Sequence, residues 1–182
     1  MKKIVLTSAG FDNPNIADKV KELLSKDVNN LSVLFVVSAA VTESQKKILP
    51  LCKSEIVDLG INEKQIVSYD FDYEISSKEI LDYDMIYVAG GSTQALLNKM
   101  GDFKSTLDAF LDQGGVYVGV SAGSVALASN YEDGLGYVSC PIKVHQAAGT
   151  REGKIVSDSI DEILLTDVQA LLVSDQCLEV IS

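Results

Sequence analysis

The chain has 182 residues, of which 47% are apolar and 23% are charged, and its formal net charge is −11. This composition is typical of a soluble globular protein and predicts a single domain over residues 1–182. The acidic excess disfavours nucleic acid and anionic membrane surfaces as partners. No apolar run reaches the roughly 20 residues that a membrane span needs, and none near the N-terminus suits a signal peptide. We therefore expect a cytoplasmic protein, either a monomer or a homodimer.

Apolar strands and helical segments alternate through the first two thirds of the chain. Strands are predicted at residues 3–7, 31–37, 65–69, 84–89 and 116–120. Helices are predicted at residues 16–24, 42–59, 75–81, 94–100 and 104–113. This alternation is typical of an open parallel sheet that is covered on both faces. Functional groups collect beyond the carboxyl ends of such strands, where Ser8, residues 38–40, Gly90-Gly91 and Ser121 all fall.

The helix predicted at residues 42–59 carries recognisable signals at both ends. Thr42, with Gln45 three residues later, has the pattern of a capping box. Gly60 suits the residue that ends a helix.

After about residue 130 the pattern changes to short strand-like pieces separated by turns. They are predicted at residues 137–140, 142–144, 154–157, 162–165, 170–173 and 178–181. We expect them to form a short antiparallel extension at the C-terminal end. The predicted fold class is therefore α/β, a three-layer sandwich with a mostly parallel central sheet and short antiparallel C-terminal strands.

The three cysteines, Cys52, Cys140 and Cys177, lie far apart in the chain. No pair has the spacing of a metal site or of a redox motif, so reduced thiols are expected. The sequence predicts neither a bound metal ion nor a cofactor.

The most informative stretch joins the apolar run at residues 116–120 to the motif Gly119-Val120-Ser121-Ala122-Gly123 and then to a short run of small residues. Strand, sharp turn, serine and helix follow one another in this order at a nucleophile elbow. The two glycines allow the strand and the helix to approach closely, and the start of the helix offers free N–H groups to an oxyanion. Ser121 is therefore the candidate nucleophile. The alternative is a glycine-rich turn with an incidental serine.

A nucleophilic serine needs a base, and His145 is the only histidine in the chain. It follows a short predicted strand and lies after Ser121, as the base does in α/β hydrolases. A purely structural histidine is the alternative. The Gly90-Gly91 pair after a strand end suits a second oxyanion donor beside the N–H of Ala122, although a plain turn between strand and helix has the same pattern.

Three segments together resemble the peptidase E family of serine peptidases, family S51. They are residues 87–93, residues 119–123 and residues 141–145, the last followed by Thr150-Arg151-Glu152. The resemblance implies a flavodoxin-like fold similar to class I glutamine amidotransferases, with serine in place of the cysteine of that fold. It implies that Ser121 is the nucleophile, that His145 is the general base, and that Gly91 and Ala122 supply the oxyanion N–H groups.

The resemblance also implies an acid that orients the histidine. Asp167 matches its place in a late strand-loop-strand segment, residues 164–173, where relatives of aspartyl dipeptidase carry a glutamate. A backbone carbonyl is an alternative partner for the ring, and four other acidic residues compete: Asp158, Asp161, Glu162 and Glu179. The intervals on both sides of His145 are shorter than in the dipeptidase, which implies trimmed loops around the substrate.

Arg151 is the only arginine in the chain and lies six residues after His145. In the family this arginine is associated with holding the acidic side chain of an N-terminal aspartate, and a guanidinium grips a carboxylate through two hydrogen bonds. The resemblance therefore implies a dipeptidase that cleaves small peptides after an N-terminal aspartate. A surface arginine is the alternative interpretation.

Two other classes of function stay open on the sequence. One is a hydrolase of the same fold that acts on other substrates, such as an amidase, an esterase or a cyanophycinase-like enzyme. The other is a binding module that keeps the fold without the activity.

Overall fold

The computed structural model describes residues 2–24, 26–155, 160–175 and 177–182. Its strands are β1 (Lys3–Thr7), β2 (Val33–Val36), β3 (Ile66–Tyr69), β4 (Met85–Val88), β5 (Val116–Val120), β6 (Ile142–Lys143), β7 (Gly153–Ile155), β8 (Ile163–Leu164), β9 (Ala170–Val173) and β10 (Leu178–Ile181). Its α-helices are α1 (Pro14–Leu24), α2 (Glu43–Lys46), α3 (Leu49–Asp58), α4 (Ser77–Leu81), α5 (Thr93–Met100), α6 (Phe103–Asp112) and α7 (Ala122–Val125). The strands and helices alternate up to α7, as the sequence predicts.

The main sheet has eight strands in the order β3-β2-β4-β5-β1-β9-β10-β7. The first five strands of that order run parallel to one another. Strands β9, β10 and β7 extend the sheet in antiparallel pairing on the far side of β1. The predicted mostly parallel sheet with antiparallel C-terminal strands is therefore confirmed.

Helices cover both faces of the sheet because successive side chains of each central strand point in opposite directions. In β1, Ile4 and Leu6 enter one hydrophobic core together with buried residues of α5, α6 and α7. Val5, between them, enters a second core with buried residues of α1 and α3. Two apolar cores separated by one sheet make the three layers of an α/β sandwich.

The helix predicted at residues 42–59 is interrupted. Thr42 caps α2 in a capping box with Gln45, as predicted, but α2 ends at Lys46 and α3 begins at Leu49. Pro50 lies in the first turn of α3, where its missing N–H leaves no hydrogen bond unmade. In one continuous helix the proline ring would clash with the carbonyl four residues earlier, so the chain starts a new helix. Gly60 follows the end of α3 with φ +100°.

Two predictions for the last third of the chain are wrong in detail. Residues 137–140 form bends and no strand, because the N–H groups of Tyr137 and Val138 both bond the carbonyl of Leu127 just beyond α7. β6 and β8 pair with each other in parallel, away from the main sheet, so not every short strand joins an antiparallel extension. The strand predicted at residues 154–157 is seen as β7 up to Ile155, and residues 156–157 lie outside the described residues.

The helix after Ser121 is shorter than the sequence suggests. It ends at Val125, and the small residues that follow form tight turns closed by bonds from Leu127 to Ser124 and from Ala128 to Val125. Across the described ranges, no helix is both long and apolar enough to cross a membrane.

Candidate active site

Ser121 occupies a strained turn between β5 and α7. Its φ is +48° and its ψ is −102°, a combination that a residue with a side chain rarely adopts. A Cβ atom added to Gly119 would lie 2.6 Å from the carbonyl carbon of Gly123. One added to Gly123 would lie 2.5 Å from the carbonyl oxygen of Val88. Both glycines of the motif are therefore required by the close packing of strand against helix.

The end of β1 holds this turn in place. The N–H of Ser121 donates to the carbonyl of Thr7 at 3.0 Å. Ser124, which is fully buried, donates its hydroxyl to the carbonyls of Thr7 at 2.7 Å and Gly119 at 2.8 Å. Three hydrogen bonds, two to the Thr7 carbonyl and one to the Gly119 carbonyl, thus secure a backbone conformation that would otherwise relax.

The small β6–β8 sheet brings His145 and Asp167 to the same end. Ile142 pairs with Ile163 and Lys143 with Leu164, so the two strands end together. His145 follows β6 by two residues and Asp167 follows β8 by three. Because parallel strands expose their carboxyl ends at one edge, the two side chains meet there although they are 22 residues apart.

The three residues proposed from the sequence as nucleophile, base and acid form one hydrogen-bonded chain. Nε2 of His145 lies 3.1 Å from Oγ of Ser121. Nδ1 of His145 lies 2.7 Å from Oδ1 of Asp167. A carboxylate only accepts hydrogen bonds, so Nδ1 carries the ring proton and Nε2 presents its lone pair to the serine hydroxyl.

Ser8 joins this chain, although its sequence context predicts no catalytic or binding role for it. Its hydroxyl donates to Oδ1 of Asp167 at 2.8 Å and accepts the backbone N–H of His145 at 2.7 Å. The hydrogen bond from Ser8, followed by that from His145, holds the pKa of the Asp167 carboxyl below its ordinary value. The only sequence signal for Ser8 is its place directly after β1, beside the strand that leads to Ser121.

The competing acids do not contact the ring in the described part of the chain. Glu162 forms an ion pair with Lys143 at 2.6 Å, and no hydrogen bond joins Asp161 or Glu179 to His145. Asp158 lies outside the described residues. The shorter aspartate side chain at position 167 reaches the imidazole because the loop after β8 runs close to the end of β6.

Gly91 and Ala122 border the serine with N–H groups that have no hydrogen-bond partner among the described residues. Gly91 has φ +149°, and a Cβ atom there would lie 2.0 Å from the carbonyl oxygen of Ala39. The N–H of Ser92 donates to that same carbonyl at 2.8 Å, which fixes the turn after β4. Ala122 begins α7, so its N–H is one of the donors that a helix start leaves unsatisfied.

A cavity of about 410 Å³ opens beside Ser121 and His145. Its apolar wall comes from Ile48, Leu49 and Leu51, of which Ile48 and Leu51 are more than half exposed. A wall of this kind suits an apolar part of a ligand.

The cavity also has an acidic wall. It includes Asp12 and Glu55, and Glu55 accepts a hydrogen bond from the hydroxyl of Tyr87 at 2.8 Å. Burial raises the pKa of the Glu55 carboxyl above its ordinary value. Burial and the charge of Glu55 raise the pKa of Cys52, which also lines the cavity, to about 11. Cys52 is therefore a protonated thiol at neutral pH and a poor nucleophile.

Arg151 is exposed and does not line this cavity. No hydrogen bond or ion pair joins its guanidinium to another described residue. The residue before it is anchored: the carbonyl of Thr150 accepts a bond from the Gln169 side chain at 3.0 Å, in the same loop as Asp167.

Nowhere in the described ranges do three histidine, cysteine or acidic side chains converge as a metal site would require.

The comparison with protein families matches residues 4–143 to the model of peptidase family S51. This stretch contains Ser121 and both proposed oxyanion residues, and it ends two residues before His145. A comparison with curated protein sequences finds no match.

Two crystal structures share the fold. One is a protein of Listeria monocytogenes EGD-e assigned as a peptidase E, with a TM-score of 0.77, 21% identity, and coverage of 100% of this chain and 98% of that chain. The other is a peptidase from an acI-B1 Actinobacterium, with a TM-score of 0.70, 17% identity, and coverage of 100% and 88%. The family match extends over most of the chain, and the chain therefore belongs to peptidase family S51.

Proposed function

We propose that this protein is a serine-type peptidase that hydrolyses short peptides through an acyl-serine intermediate. The observation that carries the proposal is the bonded chain from Oγ of Ser121 through His145 to Asp167, with distances of 3.1 Å and 2.7 Å. These are the contacts that an activated nucleophile, a general base and an orienting acid require.

In the proposed reaction, Oγ of Ser121 attacks the carbonyl carbon of the scissile peptide bond while its proton passes to Nε2 of His145. The carbonyl oxygen becomes an oxyanion, and the N–H groups of Gly91 and Ala122 donate to it. The C–N bond then breaks as His145 gives the proton to the leaving amine, which leaves an ester on Ser121. A water molecule gives a proton to His145 and attacks that ester, and the Oγ–acyl bond then breaks as His145 returns the proton to Oγ of Ser121 and the acid product leaves.

Asp167 contributes to both halves of this reaction through the ring. Its carboxylate accepts the Nδ1 proton of His145, which keeps Nε2 free to act as a base. When Nε2 is protonated, the negative charge of Asp167 stabilises the imidazolium.

For the substrate we propose a small peptide with an N-terminal aspartate, held through its side chain by Arg151. Its exposed guanidinium, without a hydrogen-bond or ion-pair partner among the described residues, supports this role, as does the anchoring of Thr150 to the loop of Asp167. The acidic wall formed by Asp12 and Glu55 would repel the aspartate side chain of the substrate, which favours binding of that side chain outside the cavity lining, at Arg151.

A fluorophosphonate probe followed by a peptide assay tests the proposal. We expect the probe to label the wild-type protein at Ser121 and to leave Ser121→Ala unlabelled. We expect Asp-Xaa dipeptides to be hydrolysed in the same preparation. Absence of labelling at Ser121 would overturn the serine mechanism, and labelling with hydrolysis of esters or amides alone would favour an esterase or amidase of the same fold.

A further inference from the structure

Ser8 is buried at the carboxyl end of β1, and its hydroxyl touches both the base and the acid of the candidate active site. It donates to Oδ1 of Asp167 at 2.8 Å, accepts the backbone N–H of His145 at 2.7 Å, and lies 3.3 Å from Nδ1 of the ring. One oxygen atom thus links three atoms that belong to two different loops.

The backbone of His145 has a conformation that needs such a link. Its φ is +57°, in the left-handed region that residues with side chains rarely adopt. Two hydrogen bonds hold the segment: the His145 N–H donates to Ser8, and the N–H of Gln146 donates to the carbonyl of Leu165. The first of these ties the loop of His145 to β1, and β1 pairs with β5, the strand that leads to Ser121.

We propose that Ser8 is a positioning residue that fixes the imidazole of His145 and the carboxylate of Asp167 relative to Ser121. The assignment rests on the proposed serine-peptidase function. Ser8 takes no proton from the substrate and forms no bond to it. Its hydroxyl keeps the Asp167 oxygen in line with Nδ1, so that the ring holds its proton there and points Nε2 at Ser121.

The donor and acceptor capacity of a hydroxyl group matches the hydrogen bonds that Ser8 makes. A hydroxyl has one proton to donate and two lone pairs to accept with. The Ser8 proton goes to Asp167 and one lone pair receives the His145 N–H. An alanine at this position would leave the partly buried N–H of His145 without this partner and would remove one of the two hydrogen bonds that Oδ1 of Asp167 accepts.

A double-mutant cycle between Ser8→Ala and Asp167→Ala tests the assignment. In the wild-type background we expect Ser8→Ala to lower kcat about 10- to 100-fold, the effect of losing one hydrogen bond to a charged group, with little change in KM. In the Asp167→Ala background we expect the same substitution to lower kcat by a clearly smaller factor, because only the bond from the His145 N–H to Ser8 is left to lose.

Ser38 supplies a matched control. It is also a buried serine beyond the end of a parallel strand, donates its hydroxyl to Asp70 at 3.0 Å and accepts the N–H of Phe71 at 2.8 Å. Ser38→Ala removes the same number of hydrogen bonds away from the active-site cavity. We expect it to lower the melting temperature about as much as Ser8→Ala while kcat stays unchanged.

Nuclear magnetic resonance of the ring gives a readout that does not depend on activity, because His145 is the only histidine in the chain. We expect ¹⁵N shifts of the Nδ1–H tautomer in the wild-type protein and in Ser38→Ala. In Ser8→Ala we expect a mixture of the two tautomers. If Ser8→Ala does not fold, Ser8→Cys keeps a side chain of similar size with only a weak hydrogen-bond donor, and the same loss is expected.

Equal losses of kcat from Ser8→Ala in both backgrounds would overturn the assignment, as would an unchanged tautomer in the Ser8 variant. These outcomes are distinct from failure of the proposed function, which would appear as an unlabelled Ser121 in a protein whose ring still responds to Ser8→Ala.

Discussion

His145 and Asp167 meet because two strands of two residues each pair in parallel: Nδ1 of His145 lies 2.7 Å from Oδ1 of Asp167. The loop that carries Asp167 is braced by Gln169, whose side chain accepts the N–H of Thr166 at 3.2 Å and donates to the carbonyl of Thr150 at 3.0 Å. Gln169 is 8% exposed, so these bonds are shielded from water. The acid is therefore held by the fold even though its own side chain is 55% exposed.

Removing either Ser121 or His145 is expected to abolish most of the turnover. We expect Ser121→Ala and His145→Ala each to lower kcat by about 10⁶-fold and the double variant to be scarcely worse, because the two residues act as one unit. Steady-state assays on the same dipeptide measure all three variants. Additive losses in the double variant, or near-full activity of His145→Ala, would contradict the assignment.

Asp167→Ala is expected to cost less, about 10⁴-fold in kcat, because an orienting acid contributes less than the nucleophile or the base. Steady-state assays with the Asp161→Ala variant as control separate the acid that bonds the ring from its neighbour. A greater loss in Asp161→Ala would reassign the role.

The pH dependence of the stability of the fold should reflect the lowered pKa of Asp167. A carboxyl whose pKa is lower in the folded chain stabilises the fold above its unfolded pKa of about 3.9, and this contribution disappears as the pH falls through the folded value. The melting temperatures of wild type and Asp167→Asn should therefore differ by a constant amount at and above about pH 5 and converge below about pH 4. Convergence at higher pH would contradict the lowered pKa.

A residue of the candidate site is easiest to predict when its signal lies in the residues next to it in the chain. Ser121 is predicted as a candidate because its strand, turn and helix are contiguous in the chain, and Gly91 because two glycines follow a strand. Asp167 is a candidate through family resemblance alone, since β6 and β8 are too short to leave a hydrophobic pattern that predicts their pairing. The only local signal for Ser8 is its place directly after β1, and its contacts cannot be predicted because its partners lie in two loops more than a hundred residues away.

Gly91→Ala should damage both stability and activity. The added Cβ atom would meet the Ala39 carbonyl at 2.0 Å, and the backbone at φ +149° is unfavourable for alanine. We expect a loss of more than about 3 kcal/mol in the free energy of unfolding, together with lower activity because the clash moves the N–H of residue 91 out of place.

Gly114→Ala is the control that measures the cost of a positive φ alone, without a steric contact. Gly114 has φ +91° with nothing within 4 Å of an added Cβ, so only conformational strain remains. Denaturant unfolding should give a loss of about 1–2 kcal/mol and unchanged activity. Equal losses for the two glycine variants would show that the close contact at Ala39 relaxes without cost.

Glu55→Gln should stabilise the fold at neutral pH. Because burial raises the pKa of Glu55, the folded chain takes up a proton at a higher pH than the unfolded chain, and stability falls as the pH rises through that interval above about 4.3. Glutamine keeps an oxygen for the Tyr87 hydroxyl without the charge. The difference in melting temperature between Glu55→Gln and wild type should grow from pH 4 to pH 7.

Glu79→Gln should show the opposite sign. The hydrogen bonds of the Ser76 hydroxyl and N–H hold the pKa of the exposed Glu79 below its ordinary value. The charged carboxylate therefore stabilises the fold at neutral pH, and the variant should be the less stable of the two there and equal to wild type at low pH. The same direction in both glutamate variants would contradict the effect of burial at Glu55.

The preference between two dipeptide substrates tests the proposed role of Arg151 in substrate binding. If its guanidinium holds the side chain of an N-terminal aspartate, the wild-type protein should hydrolyse Asp-Ala faster than the nearly isosteric Asn-Ala. Arg151→Lys should lower kcat/KM for Asp-Ala by a factor that corresponds to about 1–3 kcal/mol of lost transition-state stabilisation, because an ammonium cannot reproduce the paired hydrogen bonds of a guanidinium. The same substitution should leave Asn-Ala nearly unchanged, since the asparagine side chain has no carboxylate for the guanidinium to hold. Glu55→Gln is the matched variant on the acidic wall, and by removing a negative charge it should raise kcat/KM for Asp-Ala most clearly at low ionic strength. No preference for Asp-Ala over Asn-Ala, or equal losses on both peptides in Arg151→Lys, would remove the aspartyl specificity and leave a peptidase whose selectivity comes from the apolar wall formed by Ile48, Leu49 and Leu51.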